Sequence, residues 1–164
     1  MKSLVFLFCL LMGVAAAQNA DEKPTTIILI RHAEKANDGS KDPPLTDAGQ
    51  ARAKNLVNVF KNTNISAIYS TDYNRTKSTA APIALAKNLE VKTYEPMKES
   101  EINRIVTENI GKTVLLVGHS NTTPWVANLL TASKLQDFAD NEYGNILIVN
   151  VWPAGKSSLT WLNY

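Results

Sequence analysis

The fold of this chain is decided by the stretch TIILIRHAEK, residues 26–35. Four apolar residues in a row, three of them β-branched, predict a buried strand at Thr26–Ile30. The strand ends in Arg31 and in His32, one of only two histidines in the chain. A charged residue and a histidine directly after a buried strand call for an explanation from the rest of the chain.

The amino-terminal residues predict a secretory signal peptide. Lys2 precedes an apolar run, Leu4–Met12, and small residues follow at Ala15 and Ala17. This arrangement is typical of signal peptides, and the apolar run is too short for a comfortable membrane-spanning helix. We expect cleavage after residue 17, which leaves residues 18–164 as one exported domain, periplasmic or extracellular. An uncleaved amino-terminal anchor is the alternative.

Composition excludes several classes of protein. Without residues 1–17 the chain carries 16 basic and 15 acidic side chains and no cysteine, because Cys9 lies in the apolar run. A near-neutral chain gives no electrostatic reason to expect nucleic acid or a membrane surface as a partner. Without a thiol the domain forms no disulfide and depends on its own core. We therefore expect no stable membrane association after signal cleavage.

Strand and helix patterns alternate along the rest of the chain, which predicts an α/β fold: a three-layer sandwich with a mainly parallel sheet and helices on both faces. The predicted strands are Thr26–Ile30, Ile65–Ser70, Val91–Tyr94 and Thr113–Val117, followed by a C-terminal hairpin of Asn145–Trp152 and Ser158–Tyr164. The predicted helices follow an N-cap at Thr46 through Phe60 and then cover Thr71–Leu89, Glu99–Asn109 and Thr123–Leu130.

Three of the predicted strands end in residues suited to phosphate chemistry. Arg31 and His32 follow the first strand, Arg75 follows the second, and His119 follows Thr113–Val117. The carboxyl ends of parallel strands meet at one edge of the sheet. Arginine binds phosphate with a planar fork of donors, a neutral imidazole can attack phosphorus, and a second histidine can donate to the phosphoryl oxygens. The set predicts phosphoryl transfer through a phosphohistidine.

Four motifs give the chain a family resemblance. RHAE at 31–34 resembles the Arg-His-Gly-Glu signature of the histidine phosphatase superfamily, which includes the cofactor-dependent phosphoglycerate mutases. PLTDAGQARA at 44–53 resembles the family's Leu-Thr-x-x-Gly segment. Residues 70–80 resemble its Ser-x-x-x-x-Arg-x-x-x-Thr-Ala helix, and VGHS at 117–120 resembles its second histidine motif. The motifs occur in the expected order and cover roughly residues 27–124.

The chain also departs from the larger members of that family. Ala33 stands where the signature has glycine, and the segment between the third strand and His119 is short. This compactness resembles the small phosphatase branch, which includes protein phosphohistidine phosphatases. The resemblance therefore implies a phosphatase acting on a small phosphorylated substrate, either a phosphate monoester or phosphohistidine.

The resemblance also implies a role for each motif residue. His32 is the nucleophile, neutral at working pH, with its outward nitrogen fixed by a hydrogen bond from the other ring nitrogen. Arg31 and Arg75 bind the phosphoryl oxygens, and His119 completes the pocket. No metal or other cofactor is expected, because cationic side chains supply the charge.

The general acid is expected from the segment after the third strand. Glu95 is the first candidate, because it lies at the carboxyl end of the weak third strand, on the same edge as His32 and His119. To act as an acid at neutral pH it needs a raised pKa, which partial burial beneath Tyr94 or Met97 would give. Glu99 is the second, although an acidic residue that opens a helix is already explained by the helix dipole.

Two alternatives use the same residues differently. GHSNT at 118–122 resembles the Gly-x-Ser-x-Gly turn of serine hydrolases, but Thr122 replaces the second glycine and no histidine follows Ser120. The other alternative is a catalytically weak member of the same fold that binds a phosphorylated ligand.

Overall fold

The computed structural model describes residues 23–164. The predicted signal peptide, residues 1–17, lies outside the described residues, so cleavage and export stay predictions. Within 23–164, no helix is long and apolar enough to cross a membrane.

The described chain forms one six-stranded sheet. Its strands are β1 (Thr25–Arg31), β2 (Ile65–Ser70), β3 (Val91–Thr93), β4 (Thr113–Gly118), β5 (Asn145–Val151) and β6 (Ser157–Asn163). They lie in the order β3-β2-β4-β1-β5-β6. The first four run parallel, β5 runs antiparallel to β1, and β6 pairs antiparallel with β5. The mainly parallel sheet and the C-terminal hairpin are confirmed.

Four helices cover the two faces of this sheet. They are α1 (Asp47–Val59), α2 (Asn74–Lys87), α3 (Glu99–Glu108) and α4 (Thr122–Thr131). Buried residues of α1 and α2 pack on one face of the sheet, and those of α3 and α4 pack on the other. The predicted three-layer sandwich is therefore the observed architecture.

The apolar run of β1 is buried on both faces, as a central parallel strand requires. Ile27 and Leu29 contact the α3 and α4 layer, whereas Ile28 and Ile30 contact the α1 and α2 layer. Alternate side chains of a strand point to opposite faces. All four are at most 3% exposed, which explains why this run is continuous rather than alternating.

The first residues of α1 and α2 lie next to the carboxyl edge of the sheet. Thr46 caps α1 as predicted, since its side chain accepts a hydrogen bond from the Gly49 N–H. In contrast, α2 begins at Asn74, three residues later than predicted. The Thr71 N–H bonds to the Val117 carbonyl and prolongs the pairing of β2 with β4. A loop therefore precedes α2 at the edge of the sheet.

Candidate active site

The histidines and arginines predicted at the carboxyl edge of the sheet do lie together. Arg31, the last residue of β1, pairs in register with the last residue of β4, so His32 and His119 leave their strands side by side. Their ring centroids are 5.4 Å apart. Arg75 reaches the same place from α2: its guanidinium lies 4.3 Å from the ring centre of Tyr73, and that ring in turn contacts His119.

His32 is held as a neutral ring with a defined free nitrogen. It is 3% exposed, and its Nδ1 lies 2.7 Å from the Ala33 carbonyl. A carbonyl only accepts, so Nδ1 carries the proton and Nε2 keeps its lone pair. Burial lowers the pKa of His32 to about 4, and the charges of Arg31 and Arg75 contribute to this shift. At neutral pH the ring is therefore uncharged, with Nε2 free.

The second motif fixes the loop that carries His32. The Glu34 carbonyl accepts hydrogen bonds from the backbone and hydroxyl of Thr46, and the Glu34 carboxylate receives three from Arg52. A Cβ at Gly49 would lie 2.2 Å from the Glu34 carbonyl oxygen, so only glycine fits there. The PLTDAGQARA segment therefore holds in place the residues that follow His32.

Ala33 is accommodated in place of the family's glycine. It is fully buried, and its methyl packs with Leu45 and Ala53. Its backbone N–H donates to the Thr79 hydroxyl at 3.0 Å. Alanine therefore fits beside His32 without displacing it.

Arg31 is fixed by backbone groups. It is 3% exposed, and its Nη1 donates to the carbonyls of Ala139 and Glu142 at 2.7 and 3.1 Å. Its guanidinium lies 4.4 Å from the ring centre of Tyr143. Burial lowers the pKa of Arg31, while the nearby groups of Tyr143, Asp140 and Glu142 oppose that shift.

Arg75 is fixed by side chains instead. Its Nη1 donates to Oδ1 of Asp42 at 3.2 Å, and its side chain is 13% exposed. Both carboxylate oxygens of Asp42 also accept from the Asn74 N–H at 3.0 Å. Asp42 therefore binds the start of α2 and the arginine of its first turn together.

His119 is the first donor in a row of hydrogen bonds that runs through two threonine hydroxyls. Its Nε2 lies 2.9 Å from the Thr71 hydroxyl, which lies 3.0 Å from the Thr76 hydroxyl. The Thr76 hydroxyl reaches the backbone carbonyls of Thr71 and Tyr73. Because carbonyls only accept, the protons point along the chain towards them and Nε2 of His119 is the donor. Burial lowers the pKa of His119 to about 4, with His32 and Arg75 adding to the effect.

The structure does not bury Glu95 as expected. Its side chain is 72% exposed and bonds to Lys98 at 2.9 Å, whereas Tyr94 beside it is buried. The reason is the position of β3 at the edge of the sheet, where the chain turns outward through Met97 at φ 58°. Glu99 is likewise exposed in the first turn of α3. The burial argument for a raised pKa at Glu95 therefore fails.

Three residues of the site were missed by the sequence reasoning. Tyr143 lies in a segment with no helix or strand periodicity, and Tyr73 stands in a loop read as helix. Asp42 offers one signal, since it directly precedes a Pro-Pro pair and the Leu-Thr motif, where the backbone is restricted. Among residues 23–164, no group of three or more histidine, cysteine, aspartate or glutamate side chains is arranged to hold a metal ion.

The fold and site define an α/β domain in which two histidines and two arginines meet at the carboxyl edge of the sheet, and known proteins share these features in part. Residues 27–104 match the family model described as histidine phosphatase superfamily (branch 1). Over 71 residues the chain is 41% identical to phosphoserine phosphatase 1 of Hydrogenobacter thermophilus, a match that covers 40% of this chain and only 34% of that relative's length.

Solved structures show the same fold. The protein histidine phosphatase SixA complexed with tungstate aligns with a TM-score of 0.72 at 16% identity, covering 85% of this chain and 97% of that one. A phosphoglycerate mutase from Bacillus anthracis aligns at 0.70 and 16% identity, covering 87% and 94%. At such identities the likeness shows the fold alone. The family match covers slightly less than half of the chain, so the likeness to the histidine phosphatase superfamily is one of residues 27–104.

Proposed function

We propose that the protein is a phosphatase that hydrolyses phosphate monoesters, or phosphohistidine, through a phosphohistidine formed on His32. The observation that carries the proposal is the His32 ring, which is buried and neutral, with its Nδ1 proton held by the Ala33 carbonyl. This leaves Nε2 as the nucleophile in a site that also holds Arg31, Arg75 and His119.

In the first step, Nε2 of His32 attacks phosphorus and the bond to the leaving oxygen breaks. The two arginines stabilise the charge that develops on the phosphoryl oxygens. In each guanidinium Nη1 is engaged by a protein group, while Nη2 donates to no group within residues 23–164. In the second step, water attacks the phosphohistidine, releases inorganic phosphate and restores the neutral ring.

Turnover of p-nitrophenyl phosphate in EDTA tests the activity directly. We expect steady release of phosphate by the purified chain, and a phosphoryl adduct that survives base and is lost in acid. An adduct on serine would overturn the phosphohistidine route. Tight binding of phosphate without turnover would instead favour the alternative, a phospho-ligand-binding member of the fold.

The finer proposal is that this enzyme is exported and scavenges phosphate from monoesters or from an envelope glycan phosphate. Its support is the signal-peptide pattern of residues 1–17 and the phosphatase name of a curated relative. Export argues against a central glycolytic mutase. The intact mass of protein recovered outside the cytoplasm checks it: a chain that begins at residue 18 is expected, and a full-length cytoplasmic chain would contradict export.

A further inference from the structure

One carboxylate lies at the phosphate-binding arginines without a role in the reaction described above. Among residues 23–164, Asp42 is the only acidic side chain that hydrogen-bonds to either arginine. The loop that carries it is closed by a bridge between Lys35 and Leu45 and by the hydrogen bond of Ala36 to Pro44. Asp42 is thereby held in place before any substrate arrives.

Other carboxylates near the site bind other groups or are exposed to solvent. Glu34 is bound by Arg52, and this contact lowers its pKa. Glu142 turns back to the backbone of its own loop, at Ala139. Glu95 and Asp72 are more than 70% exposed and are paired with Lys98 and Lys77. Asp140, near Arg31, is exposed and hydrogen-bonds to neither arginine.

We propose that Asp42 is the general acid that protonates the leaving oxygen, an assignment that rests on the proposed phosphatase function. As Nε2 of His32 forms its bond to phosphorus, the bond from phosphorus to the leaving oxygen breaks and its electron pair takes the Asp42 proton. The alcohol departs and Asp42 becomes a carboxylate. In the second step this carboxylate accepts a proton from the attacking water, and phosphate leaves His32, so both residues return to their starting forms.

Asp42 lies where a bound substrate would be. Its carboxylate accepts hydrogen bonds from the Asn74 N–H and from Nη1 of Arg75. A phosphoryl group held by the same guanidinium would therefore lie beside Asp42. The half-exposed position of Asp42, at 35%, lets a proton arrive from solvent.

A structural reading of the same contacts makes a different prediction. If Asp42 only caps α2 and holds Arg75, its replacement slows every substrate by the same factor. If it is the acid, the loss depends on the leaving group, because nitrophenolate departs without a proton and an alkoxide does not.

The test compares Asp42→Asn with the wild type on p-nitrophenyl phosphate and on O-phosphoserine, with phosphate release as the common readout. Asparagine keeps the acceptor for Asn74 and Arg75 but cannot supply an acid proton. We expect kcat/KM for phosphoserine to fall by ~10²–10³-fold and that for the aryl ester to fall only a few-fold. Because both substrates are measured on one preparation, their ratio does not depend on the folded fraction. Asp42→Ser provides the same comparison if the amide variant fails to fold.

Asp72→Asn is the matched control, since that carboxylate lies on the same edge but is paired with Lys77 and exposed. Asp72→Asn should leave kcat/KM unchanged on both substrates. Equal losses on both substrates, or none, would overturn the assignment of Asp42 while leaving the phosphatase proposal intact. A wild type that hydrolyses only the aryl ester would overturn it too. A wild type that hydrolyses neither would overturn both proposals.

Discussion

The site is built from two similar units that are supported differently. Each unit has one arginine, one histidine and one tyrosine whose ring contacts both. The inner unit consists of Arg31, His32 and Tyr143, with the tyrosine ring 4.4 Å from the guanidinium and 6.1 Å from the imidazole. The outer unit consists of Arg75, His119 and Tyr73, with the corresponding distances 4.3 and 4.9 Å.

The inner unit is held by backbone carbonyls and the outer unit by side chains. Arg31 and His32 are buried at 3% and bond to main-chain oxygens. Arg75 and His119 depend on the side chains of Asp42 and Thr71. Backbone acceptors cannot be substituted, whereas side-chain partners can. In the proposed mechanism, the nucleophile therefore lies in the unit that backbone groups hold, and we expect substitutions among the side-chain partners of the outer unit to change substrate preference.

The largest expected difference between the units is in turnover after loss of the histidine. His32→Ala removes the nucleophile and should lower kcat/KM by at least ~10³-fold. His119→Ala leaves the proposed nucleophile in place and should cost less, ~10²-fold. The measurement is phosphate release together with base-quenched detection of the phosphoryl adduct, which only the His119 variant should form. Circular dichroism should show a folded chain in both.

Substantial activity in His32→Ala would end the phosphohistidine mechanism. A larger loss in His119→Ala than in His32→Ala would reverse the assignment of nucleophile between the two units.

Substitution of the two arginines should affect activity in both cases but thermal stability in only one. Arg75→Ala should lower kcat/KM by ~10²–10³-fold with little change in the melting temperature, because its partners remain solvated. Arg75→Lys should recover little, since a point charge cannot replace a fork. Arg31→Ala should lower both activity and the melting temperature, because it leaves the carbonyls of Ala139 and Glu142 without their donor.

Melting temperatures from thermal unfolding and kcat/KM from phosphate release check this pair. If lysine restores full activity at position 75, Arg75 acts only as a general positive charge. If both alanine variants melt alike, the two arginines are not supported differently.

Much of this site could be predicted from the sequence because parallel strands bring their carboxyl ends to one edge. Arg31, His32 and His119 each stand within one residue of a strand end, and Arg75 lies in the first turn of the next helix. The strand order alone then brings these four residues together. The spacing of apolar residues predicted the three layers, because the buried side of a strand or helix shows a regular apolar spacing in the sequence.

What the sequence did not predict depends on contacts between distant segments. Tyr143 stands in an aperiodic stretch, and Asp42 reaches α2 only because its loop closes on itself. The start of α2 depends on a backbone bond from Thr71 to β4, which has no local signal. The expected burial of Glu95 failed because an edge strand leaves its following residues in solvent.

The neutral histidines should also make stability depend on pH. In the unfolded chain a histidine takes up a proton below about pH 6.5, whereas His32 in the fold stays neutral down to about pH 4. Between these values the unfolded state binds more protons, so the free energy of unfolding falls as the pH falls. Between pH 7 and pH 4.5 the contribution of His32 is on the order of 2 kcal/mol.

Urea unfolding at the two pH values measures this, and His32→Gln should lose less stability on acidification than the wild type. The chain has only two histidines, so their ring signals in an NMR titration are assigned by one variant and read directly. Titration of His32 near pH 6.5 would contradict its neutral, buried state.

The smallest expected effects concern the tyrosines, and they show whether the two units differ in rigidity. A cation lying over an aromatic ring gains about 0.5–1 kcal/mol when exposed and about 2 kcal/mol when desolvated. Tyr143→Leu, at the buried Arg31, should therefore lower kcat/KM by ~10-fold or more, whereas Tyr73→Leu, at a tyrosine that is 40% exposed, should cost only a few-fold. Phenylalanine at either position keeps the ring and should restore most of the activity.

The measurement is again kcat/KM on p-nitrophenyl phosphate. The affinity for inorganic phosphate is a second measure of how well each guanidinium is held. Equal losses from the two leucine variants would mean that both rings support their arginines alike. A loss that phenylalanine does not repair would assign the effect to the tyrosine hydroxyl instead of the ring.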